Sequence, residues 1–140
     1  MAPSLIAVVD DNASVRESIS SLLRSVGHAV NVFESAEALV ASATLEEADC
    51  AITDVRMPGM SGLELQRRLA KSHPRLPVIL MTAHASDEEV RGRALRDGAV
   101  EYLSKPMDEE TLLRAIETVL RGNERRQPSR AGVKPFDFGV

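Results

Sequence analysis

Short aliphatic runs alternate along the chain with longer segments whose apolar residues recur at helical spacing. The first of the short runs, Leu5–Val9, is apolar throughout, which is typical of a strand buried on both faces of a parallel sheet. Parallel strands need crossover connections, and the intervening segments are long enough to supply helices. The pattern predicts five strands, at Leu5–Val9, His28–Phe33, Cys50–Thr53, Pro77–Met81 and Val100–Ser104. The predicted fold class is therefore α/β, with a five-stranded parallel sheet.

Each predicted helix between these strands has recognisable end signals. A glycine after a helix favours a left-handed cap, and Ser or Asp before one caps the first turn. The signals are Gly27 after the first helix, Ser35 before a short second helix, Pro58 and Gly59 as breakers before the third, a capping box from Ser86 and a closing Gly98 for the fourth, and Asp108 and Gly122 around the last. With helices on both faces, the sheet is expected to be doubly wound.

The length of the chain, 140 residues, fits one domain with a short appendage. Hydrophobic residues make up 44% of the sequence and charged residues 27%, so the chain can bury a core and is not wholly disordered. We assign residues 1–122 to the domain. Residues 123–140 are assigned to a basic, proline-containing tail or to the start of an interdomain linker.

Charge and composition disfavour several function classes. The net charge is −4 and aromatic residues are only 3%, so the chain lacks the basic footprint and the stacking side chains of a nucleic-acid-binding domain. No apolar run approaches the roughly 20 residues needed to span a bilayer. The single cysteine, Cys50, is consistent with a reducing compartment. We expect a cytoplasmic protein that contacts neither nucleic acid nor membrane directly.

Polar residues follow the predicted strands at the points where the strands end. They are Asp10 and Asp11, then Asp54, then Thr82, then Lys105. Because the carboxyl ends of parallel strands meet at one edge of the sheet, these side chains are expected to lie together. Three neighbouring carboxylates repel each other, and a hard divalent cation with oxygen ligands relieves that repulsion. The sequence therefore predicts a Mg²⁺ site.

A carboxylate held beside such a metal can attack phosphorus and form an acyl phosphate. Lys105 and the metal would share the charge on the phosphoryl oxygens, and Thr82 would either accept a new hydrogen bond there or donate one to the phosphoryl group. Spacing alone does not say which carboxylate is the nucleophile. Asp54 stands singly after a central strand, whereas Asp10 and Asp11 form an adjacent pair suited to holding an ion. We therefore favour Asp54 as the nucleophile.

These motifs together resemble the receiver domain of two-component response regulators over the chain from about Leu5 to Leu120. The resemblance rests on the acidic pair after the first strand, the stretch Asp54–Gly62 (DVRMPGMSG), Thr82 followed by Ala83, and Lys105 followed by Pro106. Two stretches, MPGMSG at residues 57–62 and GAVEYLSKP at residues 98–106, are most similar to receivers of nitrogen-fixation type transcription activators.

The resemblance implies a flavodoxin-like receiver fold and specific roles for the site residues. Asp54 would accept a phosphoryl group from a sensor histidine kinase. Mg²⁺ would be held by Asp11, Asp54 and the backbone carbonyl of Arg56, with Asp10 assisting. The phosphoryl group would be contacted by Lys105, whose peptide bond to Pro106 would be cis. Phosphorylation would draw Thr82 toward the phosphoryl group and turn Tyr102 inward as an aromatic switch.

The sequence favours a phosphorylation-controlled signalling module that is not itself an enzyme with turnover, and two other function classes are alternatives to it. A phosphatase resembling the haloacid dehalogenases also uses an Asp nucleophile and Mg²⁺, but it requires Asp-x-Asp after its first strand, where this chain has the adjacent pair Asp10 and Asp11. A phosphorylation-independent interaction domain is the other alternative.

The expected output of the signalling module is a partner protein or an attached DNA-binding domain that controls transcription. A homodimer would form through the fourth helix, fifth strand and fifth helix.

Overall fold

The computed structural model describes residues 4–82, 92–93, 95–96, 98, 101–105 and 108–126. All five predicted strands are present, and they form one sheet in the order β2-β1-β3-β4-β5 in which every neighbouring pair is parallel. In chain order the elements are β1 (Leu5–Val9), α1 (Ala13–Ser25), β2 (Ala29–Phe33), α2 (Ala36–Val40), α3 (Thr44–Glu47), β3 (Cys50–Asp54), α4 (Gly62–Ser72), β4 (Val78–Thr82), β5 (Glu101–Ser104) and α5 (Glu109–Arg126). The α/β prediction is confirmed.

Two apolar layers cover the two faces of the sheet. Alternate residues of one strand enter different layers, as Ala7 and Val9 do on one side and Ile6 and Val8 on the other. The first layer contains apolar side chains of α2, α3 and α4, including Leu39, Leu45, Leu65 and Leu69. The second contains those of α1 and α5, including Ile19, Leu23, Leu112 and Ile116. Because both faces are covered, β3 and β4 are buried along their whole length.

Several helix ends follow the predicted signals. The hydroxyl of Ser35 accepts a hydrogen bond from the Ala38 amide at the start of α2. Gly27 has a φ of 98° after α1, and its amide donates to the Arg24 carbonyl, which is the left-handed cap expected there. Of the other two glycines predicted to end helices, Gly98 also has a positive φ, of 107°, whereas Gly122 is helical.

The last helix does not end at Gly122, so this prediction was wrong. Helix α5 continues to Arg126. A helical glycine costs only about 1 kcal/mol relative to alanine, and the arginines and glutamate that follow Gly122 are good helix formers. The assignment of residues 123–140 to a tail or linker stays a prediction.

Other boundaries differ by smaller amounts. Helix α3 was not predicted, because a four-residue helix is too short to display helical periodicity. Strand β2 begins one residue later than predicted, at Ala29, and β4 is shifted by one residue to Val78–Thr82. Of the helix predicted between Ser86 and Gly98, residues 92–93 and 95–96 are helical. Its capping box lies outside the described residues. Among the described helices, none has the length and apolarity needed to cross a membrane.

Candidate functional site

The predicted polar residues lie at the carboxyl edge of the sheet. Asp10 follows β1, Asp54 and Thr82 are the last residues of β3 and β4, and Lys105 follows β5. These four strands are consecutive in the sheet order, so their ends are side by side. The backbone joins the last two as well, because the Lys105 amide donates to the Thr82 carbonyl at 2.8 Å. The expected convergence of these strand ends is confirmed.

Lys105 links two of the carboxylates. Its Nζ lies 2.8 Å from Asp10 Oδ2 and 3.3 Å from Asp54 Oδ2. Burial by itself would lower the pKa of Lys105, but the hydrogen bond and charge of Asp10, followed by those of Asp54, outweigh it and raise the pKa above 10.5. Lys105 is therefore a fixed positive charge between the two acids at neutral pH.

Asp10 is completely buried, and both of its carboxylate oxygens, its amide and its carbonyl make hydrogen bonds. Its Oδ1 accepts a hydrogen bond from the Asn12 amide at 2.9 Å, while its Oδ2 accepts from Lys105. Its own amide donates to the Phe33 carbonyl, and its carbonyl accepts from Arg16 Nη1 at 2.7 Å. Because both carboxylate oxygens already have protein donors, Asp10 fits an assisting role better than that of a principal metal ligand.

Asp10, Asp11 and Asp54 each place one carboxylate oxygen within 4.8 Å of the others. Asp11 is exposed and Asp54 is only 7% exposed. Burial, then the charge of Asp10, raises the pKa of Asp54 above its ordinary value of 3.8, although Lys105 opposes the shift. An all-oxygen donor set of this size, with excess negative charge, fits Mg²⁺. Arg56, whose carbonyl is the further expected ligand, lies in an exposed position two residues after Asp54.

The segment between β3 and α4, residues 55–61, closes tightly beside Asp54; we call it the β3–α4 loop. The Val55 amide donates to the Met81 carbonyl, and the Gly62 amide donates back to the Val55 carbonyl at 2.9 Å. A Cβ on Gly62 would lie 2.1 Å from the Asp54 carbonyl oxygen, so only glycine fits there. Ser61 then caps α4 by accepting from the Glu64 amide. The loop therefore leaves Asp54 and re-enters regular structure within a few residues.

The two proposed switch residues lie behind this edge. Thr82 is 1% exposed and Tyr102 is 6% exposed, with the tyrosine ring in the same apolar layer as α2, α3 and α4. Tyr102 pairs in register with Leu80, two residues before Thr82 on the adjacent strand. In this structure the tyrosine is therefore turned inward. The predicted cis bond to Pro106 lies outside the described residues.

The model of the response regulator receiver domain matches residues 6–117 of the chain. The chain belongs to this family of receiver domains. The resemblance found in the sequence motifs is thereby confirmed, and the receiver domain is a signalling domain of two-component systems.

Several known response regulators are similar to this receiver domain. TmoT of Ectopseudomonas mendocina is 42% identical over 118 residues, which are 84% of this chain and 53% of TmoT. The transcriptional regulatory protein FixJ of Bradyrhizobium diazoefficiens is 36% identical over 126 residues, 90% of this chain and 61% of FixJ. The structure of the response regulator StyR matches with a TM-score of 0.82 and 42% identity, covering 93% of this chain and 65% of StyR. The receiver domain spans about half the length of the first of these relatives.

Three residues contribute to the site of the receiver domain without having been predicted to do so. Asn12 caps α1 through its side chain and binds Asp10 through its amide, and an Asn directly after the acidic pair is a recognisable cap signal. Arg16 holds the Asp10 carbonyl from the first turn of α1, and no sequence signal indicates this contact. Glu37 accepts a hydrogen bond from the Met60 amide in the β3–α4 loop, a contact between residues 23 positions apart.

Proposed function

We propose that this receiver domain accepts a phosphoryl group from a sensor histidine kinase on Asp54 in a Mg²⁺-dependent reaction. The observation that supports the proposal most strongly is the placement of Asp54. Its carboxylate is nearly buried, grouped with those of Asp10 and Asp11, and 3.3 Å from the Lys105 ammonium. A buried carboxylate with a fixed cation beside it is suited to nucleophilic attack on an anionic phosphoryl group.

Each residue of the site has a distinct part in the proposed transfer. An Asp54 carboxylate oxygen forms a bond to phosphorus as the bond from phosphorus to the kinase histidine nitrogen breaks, and the electron pair of that bond stays on the nitrogen. Lys105 binds the phosphoryl oxygens and limits the repulsion between the two anions. Asp11, Asp54 and the Arg56 carbonyl hold Mg²⁺, with Asp10 assisting. Mg²⁺ held by these groups would neutralise charge on the phosphoryl oxygens.

The signal leaves the site through Thr82 and Tyr102. The Thr82 hydroxyl donates a hydrogen bond to the new phosphoryl group, and this movement holds Tyr102 in the inward position that it has in the structure. The surface changed by these movements controls a partner protein or an attached DNA-binding domain, and therefore transcription, in the cytoplasm.

Two receiver domains pair through the helix that includes residues 92–93 and 95–96, together with β5 and α5. Hydrolysis of the acyl phosphate restores Asp54, so the domain has no turnover on a separate substrate.

An incubation with Mg²⁺ and a small acyl phosphate tests the phosphorylation directly. The expected result is one phosphoryl group per chain, stable in acid and labile in base, and absent from the Asp54→Asn variant. Rapid, steady release of phosphate without an accumulating label would instead support the phosphatase alternative, and the absence of both label and release would support a phosphorylation-independent interaction domain. Asp49→Asn is a suitable control, because Asp49 binds the Leu5 amide at the opposite edge of the sheet.

A further inference from the structure

We infer that Glu37 is a positioning residue that holds the β3–α4 loop in place and so presents the Arg56 carbonyl to the metal. This inference rests on the proposed function of the site. Glu37 belongs to α2, outside the acidic cluster, and its Oε2 accepts a hydrogen bond from the Met60 amide at 2.9 Å. That hydrogen bond is the main reason that the pKa of Glu37 lies below its ordinary value of 4.5.

The backbone of the loop is shaped around this carboxylate. Gly59 has a φ of 77°, and a Cβ added there would lie 2.6 Å from Glu37 Oε2. Glycine is thus favoured at position 59 both by the left-handed conformation and by the close approach of the carboxylate. The close approach to Gly59 and the hydrogen bond from Met60 both involve Glu37 Oε2, and together they place residues 59 and 60 of the loop against Glu37.

Glu37 itself stands on a fixed base. The Ser35 hydroxyl caps α2, and the side chains of Ala36 and Leu39 on either side of Glu37 are completely buried. The ends of the loop are fixed separately, where Val55 binds Met81 and Gly62 binds Val55. Glu37 therefore adds an anchor in the middle of a loop whose two ends are already held.

Arg56 lies between the anchored start of the loop and the anchored Met60. Without Glu37, residues 57–60 gain conformational freedom, and ordering the Arg56 carbonyl around a metal then costs conformational entropy. Outer groups that orient metal ligands commonly contribute about tenfold or more to affinity. We expect Glu37→Ala to weaken Mg²⁺ binding by about tenfold.

Two substitutions distinguish the hydrogen-bond acceptor of the Glu37 side chain from its negative charge. Glu37→Gln removes the negative charge but keeps an oxygen that accepts from Met60, whereas Glu37→Ala removes both. Glu34→Ala is the matched control, because Glu34 is an exposed glutamate three positions earlier. Two quantities are measured for each variant: hydrogen exchange of the Met60 amide in metal-free protein, and the Mg²⁺ dissociation constant from a calorimetric titration.

We expect Glu37→Ala to increase both the exchange rate at Met60 and the dissociation constant, while Glu37→Gln and Glu34→Ala stay within about twofold of the wild type. Equal effects of Gln and Ala at position 37 would mean that only charge acts there, and would overturn the inference. An unchanged Met60 amide in Glu37→Ala would overturn it as well. Failure of the wild-type chain to bind Mg²⁺ would instead contradict the proposed function, and the Met60 exchange would still report on the anchor.

A second variant tests the same contact from the loop side. In Gly59→Ala the new methyl group displaces the Glu37 carboxylate, which is the flexible partner of the close approach. The hydrogen bond to Met60 is then already lost, so adding Glu37→Ala has little further effect on Mg²⁺ affinity. Alanine is also strained at the φ of 77°, so hydrogen exchange of the Met60 amide in Gly59→Ala is measured first and is expected to be faster than in the wild type. If it is faster, a further loss of about tenfold in Mg²⁺ affinity on adding Glu37→Ala would contradict the inference.

Discussion

The Nζ of Lys105 lies closer to Asp10 than to Asp54, at 2.8 Å from Asp10 Oδ2 and 3.3 Å from Asp54 Oδ2. Asp10 is completely buried, so its charge depends on this cation and on the Asn12 amide. The proposed nucleophile has the longer contact. The ammonium therefore holds Asp10 in place in the unphosphorylated domain, and it is near enough to Asp54 to bind a phosphoryl group that is transferred there.

Removal of the Lys105 charge is expected to destabilise the domain. In Lys105→Met the buried Asp10 carboxylate loses its cationic partner, and breaking a buried ion pair from one side costs about 3 kcal/mol. Urea denaturation at pH 7 measures the loss. Because the pKa of Lys105 is raised above 10.5, the stabilisation is complete at pH 7 and disappears only as the pH rises through that raised pKa. Lys71→Met, at an exposed position, is the control; an equal loss there would refute the assignment.

Removal of the Asp54 charge is expected to have the opposite effect. Asp54→Asn relieves the repulsion with Asp10 and should raise the free energy of unfolding by about 1 kcal/mol at pH 7 without Mg²⁺. The folded wild type holds the Asp54 proton more tightly than the unfolded chain. Its stability therefore falls as pH rises from 3.8 through the raised pKa, and then levels. The advantage of Asp54→Asn should grow over that window; a difference independent of pH would argue against the shift.

Two glycine-to-alanine substitutions are expected to change stability in opposite directions. Gly62→Ala places a Cβ 2.1 Å from the Asp54 carbonyl, and this backbone clash should cost about 3 kcal/mol. Gly122→Ala meets nothing within 4 Å in the helical α5 and should stabilise by about 1 kcal/mol. Denaturation of both variants gives the comparison. Destabilisation by Gly122→Ala would contradict the continuation of α5 past that residue.

Tyrosine fluorescence can report the proposed switch without a label. The chain has one tyrosine and no tryptophan, so its intrinsic emission comes from Tyr102 alone. We expect emission to change when the domain is phosphorylated, because the movement of Thr82 alters the buried surroundings of the ring. Thr82→Ala should still accept phosphate but lose most of this change. An emission change of full size in Thr82→Ala would exclude Thr82 as the coupling residue.

The sequence predicts the elements better than the contacts between them. Strands such as Leu5–Val9 are apolar throughout because they are buried on both faces, and this leaves a pattern that reading along the chain can detect. The grouping of Asp10, Asp54 and Lys105 follows from strand direction alone. The contact of Glu37 with Met60 has no such signal, because it depends on how α2 is placed against a loop 23 residues away.

The helix termini show the same distinction. Gly27 and Gly122 are alike in sequence terms, since each follows an apolar helical stripe. Gly27 has a positive φ and follows the end of α1, whereas Gly122 lies within α5. A glycine inside a helix costs only about 1 kcal/mol relative to alanine. The surrounding structure therefore decides whether a helix ends at a glycine or continues through it.

Phosphorylation of Asp54 is tested most directly by mapping the modified residue. Protein incubated with Mg²⁺ and an acyl phosphate is reduced with borohydride, which converts a phosphorylated aspartate to homoserine, and is then digested and sequenced by mass spectrometry. The expected result is homoserine at position 54 in wild type and Glu34→Ala, and at no position in Asp54→Asn. Homoserine at position 10 or 11, or an unmodified Asp54 under conditions that label the chain, would contradict it.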